Sequence, residues 1–542
     1  MKRRIPATLR IFFGAILFAG FTGITSAAEY HVSPSGTDSN PGDAADPFQT
    51  ISKAVSEAKP GDSIWLHTGI YRESVDVKAQ GQAPLTIAAA PGEKAQIFGS
   101  EPLPGPWKEM GDDIFRASLP AGRRTGGWLF IDDKPATLST GARPHQADEF
   151  SFDHPETNPI GDNQVLVQLK AGDNPGKHHF EWAEKSSVIV FESSACPGHL
   201  KDLDIAFAVN GKQEGMVFLS PGSVMENCIV RDSLSRGITV LARGTVRHCH
   251  VYRNGILGIG SGGNDPEGVR DLRILDNEVN GNSWYQADTG WECGGIKLSL
   301  LRDSVVRGNN IHDNLAWGIW LDWQCTGNRL EANICRDNVA AGIFLEASKG
   351  RNIIANNICV ENRHDPHNYT GDGIFSHESS DALVAHNLCS NNDCFGIRFR
   401  LEDPTRKMTD GRGFECARNV IVNNICADNG MGQLELPSDA PAQHGNLSDG
   451  NALFTGLPGN HTAEAMMNTP VMNFLSWRKL GFDSHSTDAK PLFRDPATND
   501  FHPVGNSPQV GLASFLVEVP ADFDGHPRNY PKTTAGPFEF MQ

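Results

Sequence analysis

A short internal repeat constrains this chain more than any other feature. An Asn- or His-centred turn recurs, followed by Gly-Ile and an alternating strand: Asn227 with Gly237-Ile238, His248 with Gly258-Ile259, Asn277 with Gly295-Ile296, and Asn310 with Gly318-Ile319. Asn333 with Gly342-Ile343, Asn357 with Gly373-Ile374 and Asn387 with Gly396-Ile397 continue the series, and Asn424 with Gly432 is a decayed copy. Successive glycines are 21, 37, 23, 24, 31, 23 and 36 residues apart, a period near 23 with insertions. A unit this short cannot bury its own apolar face, whereas stacked copies build a continuous core. The fold class expected is therefore all-β, a parallel β-helix; the Leu pattern of a leucine-rich repeat is absent. Stacked turn amides fit, because an amide can bond to the coils above and below it.

Strand parity then divides the faces. One and three residues after the glycines stand Ile238 and Val240, Ile296 and Leu298, Ile319 and Leu321, Ile343 and Leu345, an inward apolar set. Cys335, Cys359, Cys389 and Cys426 each follow a turn Asn by two residues and are expected to stack in one column as small buried hydrophobes. A metal site there, completed by His312, is disfavoured because closed zinc sites need converging ligands, not a line of them.

The flanks organise the rest. Residues 1–28 carry Lys2, Arg3, Arg4 and Arg10, an apolar run from Ile11 to about Ile24, and Ser26-Ala27-Ala28, the pattern of a cleaved signal peptide. The apolar run is shorter than the ~20 residues a bilayer span needs, so a periplasmic or secreted product, with no membrane association after cleavage, is expected. Residues 29–100 read as the N-terminal cap and first coils, with a short amphipathic capping helix at Thr50–Ala58. Runs such as Trp128–Ile131 and Val165–Leu169 mark a small inserted β subdomain at 101–200. Residues 201–445 form the β-helix core with the functional face, and 446–542 an irregular C-terminal segment packed on the helix. Forty-seven basic against 65 acidic residues give a net charge of −18, falling to −22 without the leader, which excludes nucleic acid as a partner at long range and mildly disfavours a uronic polymer.

Four residues after the glycines, five consecutive coils present Ser299, Asp322, Glu346, His377 and Arg400 outward in one line. Adjacent strands lie ~4.8 Å apart, so the carboxyls of Asp322 and Glu346 are expected ~5 Å apart, the spacing of a retaining glycosidase. Two such carboxyls cannot both ionise freely, which leaves an acid beside a nucleophile. Lys297, one coil before Asp322, and Arg400 are placed to orient a carboxylate or bind sugar hydroxyls. Insertions carrying Trp284, Trp291 and Glu292, then His364, His367 and Tyr369, and finally residues 401–418, build a cleft on the same face, with Trp323 beside Asp322. A single outward charge is usually solvated decoration. The in-register pair, flanked by His377, Arg400 and aromatics, is what lifts this face above that reading.

Tyr30–Asp38, Asp46-Pro47-Phe48 and Ala58–Asp62 resemble the N-terminal cap of secreted right-handed parallel β-helix proteins of the pectate-lyase-like group. Within that group, Glu292–Leu298, Ile311–Asp313, Gly318–Trp323 and Phe344-Leu345-Glu346 resemble the active-site coils of the glycoside hydrolase family 120 β-xylosidases, although Trp291 stands where that family has a His. The resemblance implies retention, with Asp322 as nucleophile, Glu346 as acid/base, and Glu292 and Lys297 as substrate contacts. Trp323, His377 and Arg400 complete the expected binding set. An oligo- or polysaccharide substrate and no cofactor are expected. Two alternatives stay open: a polysaccharide lyase with Lys297, Arg398 or Arg400 as base and a bound Ca²⁺, and a non-catalytic glycan-binding or surface protein.

Overall fold

The computed structural model describes residues 27–119, 126–141, 143–152, 164–261, 269–285, 287–437, 444–456, 462–464 and 470–541. The leader expected at 1–28 therefore lies outside the described residues except for Ala27 and Ala28. Three long parallel sheets, one of 13 strands and two of 12, wind around a single core. Each coil contributes one strand to each sheet. In the third sheet, which carries the Gly-Ile strands, Ile296, Ile319, Ile343, Ile374 and Ile397 are register partners and all are buried. The inward column predicted from parity is thus a continuous apolar stack, and one cluster of buried side chains runs from Val32 to Phe482.

The repeating glycine has a local cause. A Cβ on Gly318 would meet the Gly342 carbonyl oxygen at 2.4 Å, and one on Gly373 would meet that of Gly396 at 2.6 Å. The coils approach through bare backbone at this corner, so no other residue fits without displacing a strand. The turn asparagines form ladders. In one, Asn277, Asn309, Asn333, Asn357, Asn387 and Asn424 each donate from Nδ2 to the Oδ1 of the next, ending at Asn451, at 2.9 to 3.1 Å. A second ladder runs from Asn254 to Asn429. Interior amides that bond above and below satisfy polar groups which the turns bury.

Both ends are closed. Helix α1 (Ile51–Glu57) lies over the first coil with Ile51 and Ala54 buried, and the Thr50 hydroxyl caps it by accepting from the Lys53 N–H at 3.1 Å. At the other end α2 (Phe474–Lys479), capped by Asn473, buries Phe474 and Trp477. The boundary expected at 445 lies too early. Strands Leu447–Asp449, Ala452–Phe454 and Ala463–Glu464 extend all three sheets, because Asn451 continues the first ladder, and Asn446 accepts from Asn419 at another turn, after the Gly-Ile signal has decayed. The boundary at 200 lies too late. Two extra sheets, with strands from Ser100–Pro102 to Phe180–Ala183, bulge from the helix, and Ile189–Phe191 already pairs with Val75–Val77 and Gly215–Leu219.

All eleven cysteines are buried and none is bridged. Cys335, Cys359, Cys389 and Cys426 are consecutive register partners. Cys335 pairs with Ile311, so His312 has the opposite parity and bonds Asp313 and Glu278 outside the coil; it does not complete a site with the thiols. Among the described residues no helix is long and apolar enough to cross a membrane.

Candidate active site

The outward face of the third sheet is built on an aromatic floor. Trp320, Phe344 and Phe375, two residues after their glycines, are register neighbours and each is only 2% exposed, covered by Trp317, which stacks on Phe344 at 4.3 Å. These residues alternate with the charged ladder, so the ladder rises from an apolar, water-poor base where charges interact strongly.

Along that ladder Ser299 pairs with Asp322, Glu346 with His377, and His377 with Arg400. Leu321 pairs with Leu345, which sets Asp322 and Glu346, the next residue of each strand, side by side. Their surroundings differ. The Lys297 ammonium sits 3.2 Å from Asp322 Oδ2 and over the Trp320 ring, and the Ser299 hydroxyl donates to the same oxygen at 3.4 Å. Lys297 also donates to the Trp291 carbonyl and lies 3.7 Å from Glu292 Oε1. Glu292 is held in turn by Arg236, at 3.3 Å, and by the Gln213 amide. One continuous set of ion pairs therefore links Arg236, Glu292, Lys297 and Asp322.

Glu346 Oε2 accepts from the Trp320 indole N–H at 3.0 Å, and Oε1 from Arg406 at 2.7 Å. Burial and the Asp322 charge push this carboxyl up from its ordinary value, against the pull of His377 and Arg406. His377 bonds Glu378 through Nδ1, and its Nε2 lies 4.0 Å from Glu346 Oε1. Burial opposes ionisation of Glu378, yet His377 and the backbone N–H groups of Glu402 and Asp403 hold its carboxyl at about 2.

The structure thus brings Asp322, Glu346, Glu292, Lys297 and His377 together. Arg400 ends the ladder, stacked on Phe375 and paired with Glu402. Trp323 turns away after Asp322 with φ +60°, packing on Phe414 under the Arg406 guanidinium. Trp284 is no sugar platform: with Tyr285 it packs on Trp128 and fastens the inserted sheets to the helix. Trp291 and Tyr369 stay exposed, and their loops join where Asn368 donates to Thr289. Sequence reading missed Arg406, Glu378, Arg236 and Gln213. Glu378, adjacent to His377, and Arg406, inside the 401–418 insertion, carried a positional signal; Arg236 and Gln213 carried none.

Comparison with known proteins agrees with this architecture. Residues 264–366 match a family model described as a right handed beta helix region, and residues 34–101 match a family of unknown function, DUF1565. Pectate lyase PEL9 of Emericella nidulans is 34% identical over 93 residues, a stretch that is 16% of this chain and only 22% of that relative. The structure titled the complex of XylC with xylose superposes with a TM-score of 0.68 at 17% identity, covering 95% of this chain and 98% of the other. A structure titled glycoside hydrolase reaches 0.51 at 14% identity, over 69% of this chain and 94% of its own. Three wound parallel sheets, stacked amides and these likenesses converge: the chain is a right-handed parallel β-helix protein.

Proposed function

We propose that this protein is an exported glycoside hydrolase that cleaves a glycosidic bond with retention, acting on an oligo- or polysaccharide and resembling β-xylosidases in its catalytic coils. The observation that carries this reading is the in-register carboxylate pair with unlike surroundings. Asp322 is oriented by Lys297 and Ser299 through Oδ2, which leaves Oδ1 for attack on the anomeric carbon. Burial beside Asp322 favours a proton on Glu346. In the first step Asp322 forms the bond to the anomeric carbon while Glu346 gives its proton to the departing oxygen. In the second, Glu346 takes a proton from water, whose oxygen displaces Asp322. The likeness to XylC, a structure that holds xylose, and the coil motifs support a neutral pyranoside substrate.

The short stretch shared with a pectate lyase favours elimination as the second reading. Against it, Lys297, Arg398 and Arg400, the bases it would use, each face a carboxylate partner. Incubation with neutral and uronic oligosaccharides, followed by mass spectrometry, separates the two: summed fragments gain one water in hydrolysis, and carry a new double bond with no gain in elimination. Glu346→Gln is expected to lose about 10²- to 10⁴-fold on substrates with poor leaving groups and far less on activated aryl glycosides, which depart unprotonated. Equal losses on both would remove the acid role.

A further inference from the structure

The segment 401–418 leaves the end of strand Phe395–Arg400 and doubles back over the coils of Asp322 and Glu346 before re-entering the first sheet at Val420–Val422. Side chains fasten it there. Met408 and Phe414 form a small apolar cluster with Ala347 and Trp323, and the Thr409 hydroxyl donates to the Gln324 side chain at 3.1 Å. Glu378 Oε1 accepts the backbone N–H groups of Glu402 and Asp403 at 2.6 and 2.9 Å, which ties down the start of the same segment.

This anchoring brings in one cation. Arg406 directs Nη2 to Glu346 Oε1 at 2.7 Å and Nη1 to Glu378 Oε2 at 2.8 Å, with its guanidinium 5.4 Å from the centre of the Trp323 ring. A planar fork spans two carboxylates in fixed geometry, as an ammonium cannot. Glu346 is otherwise faced by Asp322, with Lys297 behind it, from the preceding coils; by His377 and Glu378 from the next; and by the Arg400–Glu402 pair further along. Lys297 is committed to Asp322 and Glu292, and Arg400 to Glu402. His377, at 4.0 Å, adds its pull from a distance, whereas Arg406 is hydrogen-bonded to the proton-transferring carboxyl.

We propose that Arg406 is a positioning residue of the reaction assigned above, supplying the countercharge that holds Glu346 ionised once its proton has left and so readies it to take one back from water. The inference rests on the assignment of Asp322 and Glu346. In the free enzyme burial and the Asp322 charge together keep the Glu346 proton in place. When Asp322 becomes an ester its charge is gone, Glu346 has just ionised, and Arg406 is left as its hydrogen-bonded partner, with His377 4.0 Å away. The covalent step on one carboxyl thus converts the other from acid to base, with Arg406 as the constant pull.

The test is the pH dependence of kcat/KM on a poor-leaving-group glycoside for wild type, Arg406→Gln and Arg406→Lys, with thermal melting as a control for folding. Arg406→Gln keeps hydrogen-bond donors but no charge, so its alkaline limb is expected to move up by about one pH unit. Its turnover on an activated aryl glycoside, limited by water attack, should fall about tenfold. Arg406→Lys, which keeps the charge, should return the limb toward wild type. A limb that stays in place in Arg406→Gln while activity drops equally at every pH overturns the proposal and leaves only a structural role. Failure of the underlying assignment is separately visible: a Glu346→Gln variant as active as wild type on the poor leaving group overturns both.

Discussion

Asp322 and Glu346 share a register in neighbouring coils, and their chemistry differs because their partners do. A lysine and a serine converge on Asp322, whereas Glu346 is sunk beside an indole, a like charge and a cation that arrives by a loop. A second acidic side chain on this sheet shows the same physics without the reaction. Glu435, register partner of Arg398 and Glu464, is 2% exposed with Oε1 unbonded, and burial pushes its carboxyl up to about 8. Between its ordinary value near 4.5 and about 8, the folded chain keeps a proton that the unfolded chain releases, so stability falls as pH rises through that window, by up to about 1.4 kcal/mol per unit. Glu435→Gln should therefore raise the melting temperature relative to wild type more at pH 8 than at pH 5. A gap that does not widen would show that Glu435 is already ionised in the fold. The ladder positions were legible from parity alone, since side chains in a strand alternate whatever surrounds them. The partners that tell the two carboxyls apart were not.

At the scale of the element, the coil is a hydrogen-bonding machine with glycine at one corner and asparagine at others. Asn333 accepts from both the backbone and side chain of Asn309, and donates to Asn357 and to the Val306 carbonyl, with no exposure. Asn333→Ala orphans several buried groups at once and should destabilise by about 3 kcal/mol or more, measured by denaturant unfolding. A cost below about 1 kcal/mol would mean that neighbouring coils close over the gap. The turn amides stood out in the sequence because they repeat. The second ladder did not, because its asparagines follow the first by only five residues and read as part of the same turn. The extra coil beyond 445 was hidden for a related reason: its asparagines persist while its Gly-Ile is gone.

For the whole molecule, a solenoid must close its two ends or offer open strand edges to other chains. Ala54, fully buried on the inner face of α1, is the point at which that closure can be tested. Relative to wild type, Ala54→Asp should add concentration-dependent aggregates by size-exclusion chromatography, while any monomer that remains keeps the proposed catalytic coils intact. Loss of activity in that monomer would show that the cap and the distant site are coupled. The inserted sheets share a small second core with the outer face of the helix, through Phe207 and through Trp284 and Tyr285 on Trp128, so those aromatic residues serve packing.

The order of the coils, the inward column and the line from Ser299 to Arg400 were determined by the sequence by itself, because a repeat of about 23 residues with strict strand alternation carries its own register. Which loops return over that line was decided only in three dimensions. Arg406 meets Glu346 across 60 residues, and Gln213 meets Glu292 across 79. No period links such residues; they meet because apolar anchors such as Phe414 on Trp323 hold one loop to one coil, and that choice is made by packing.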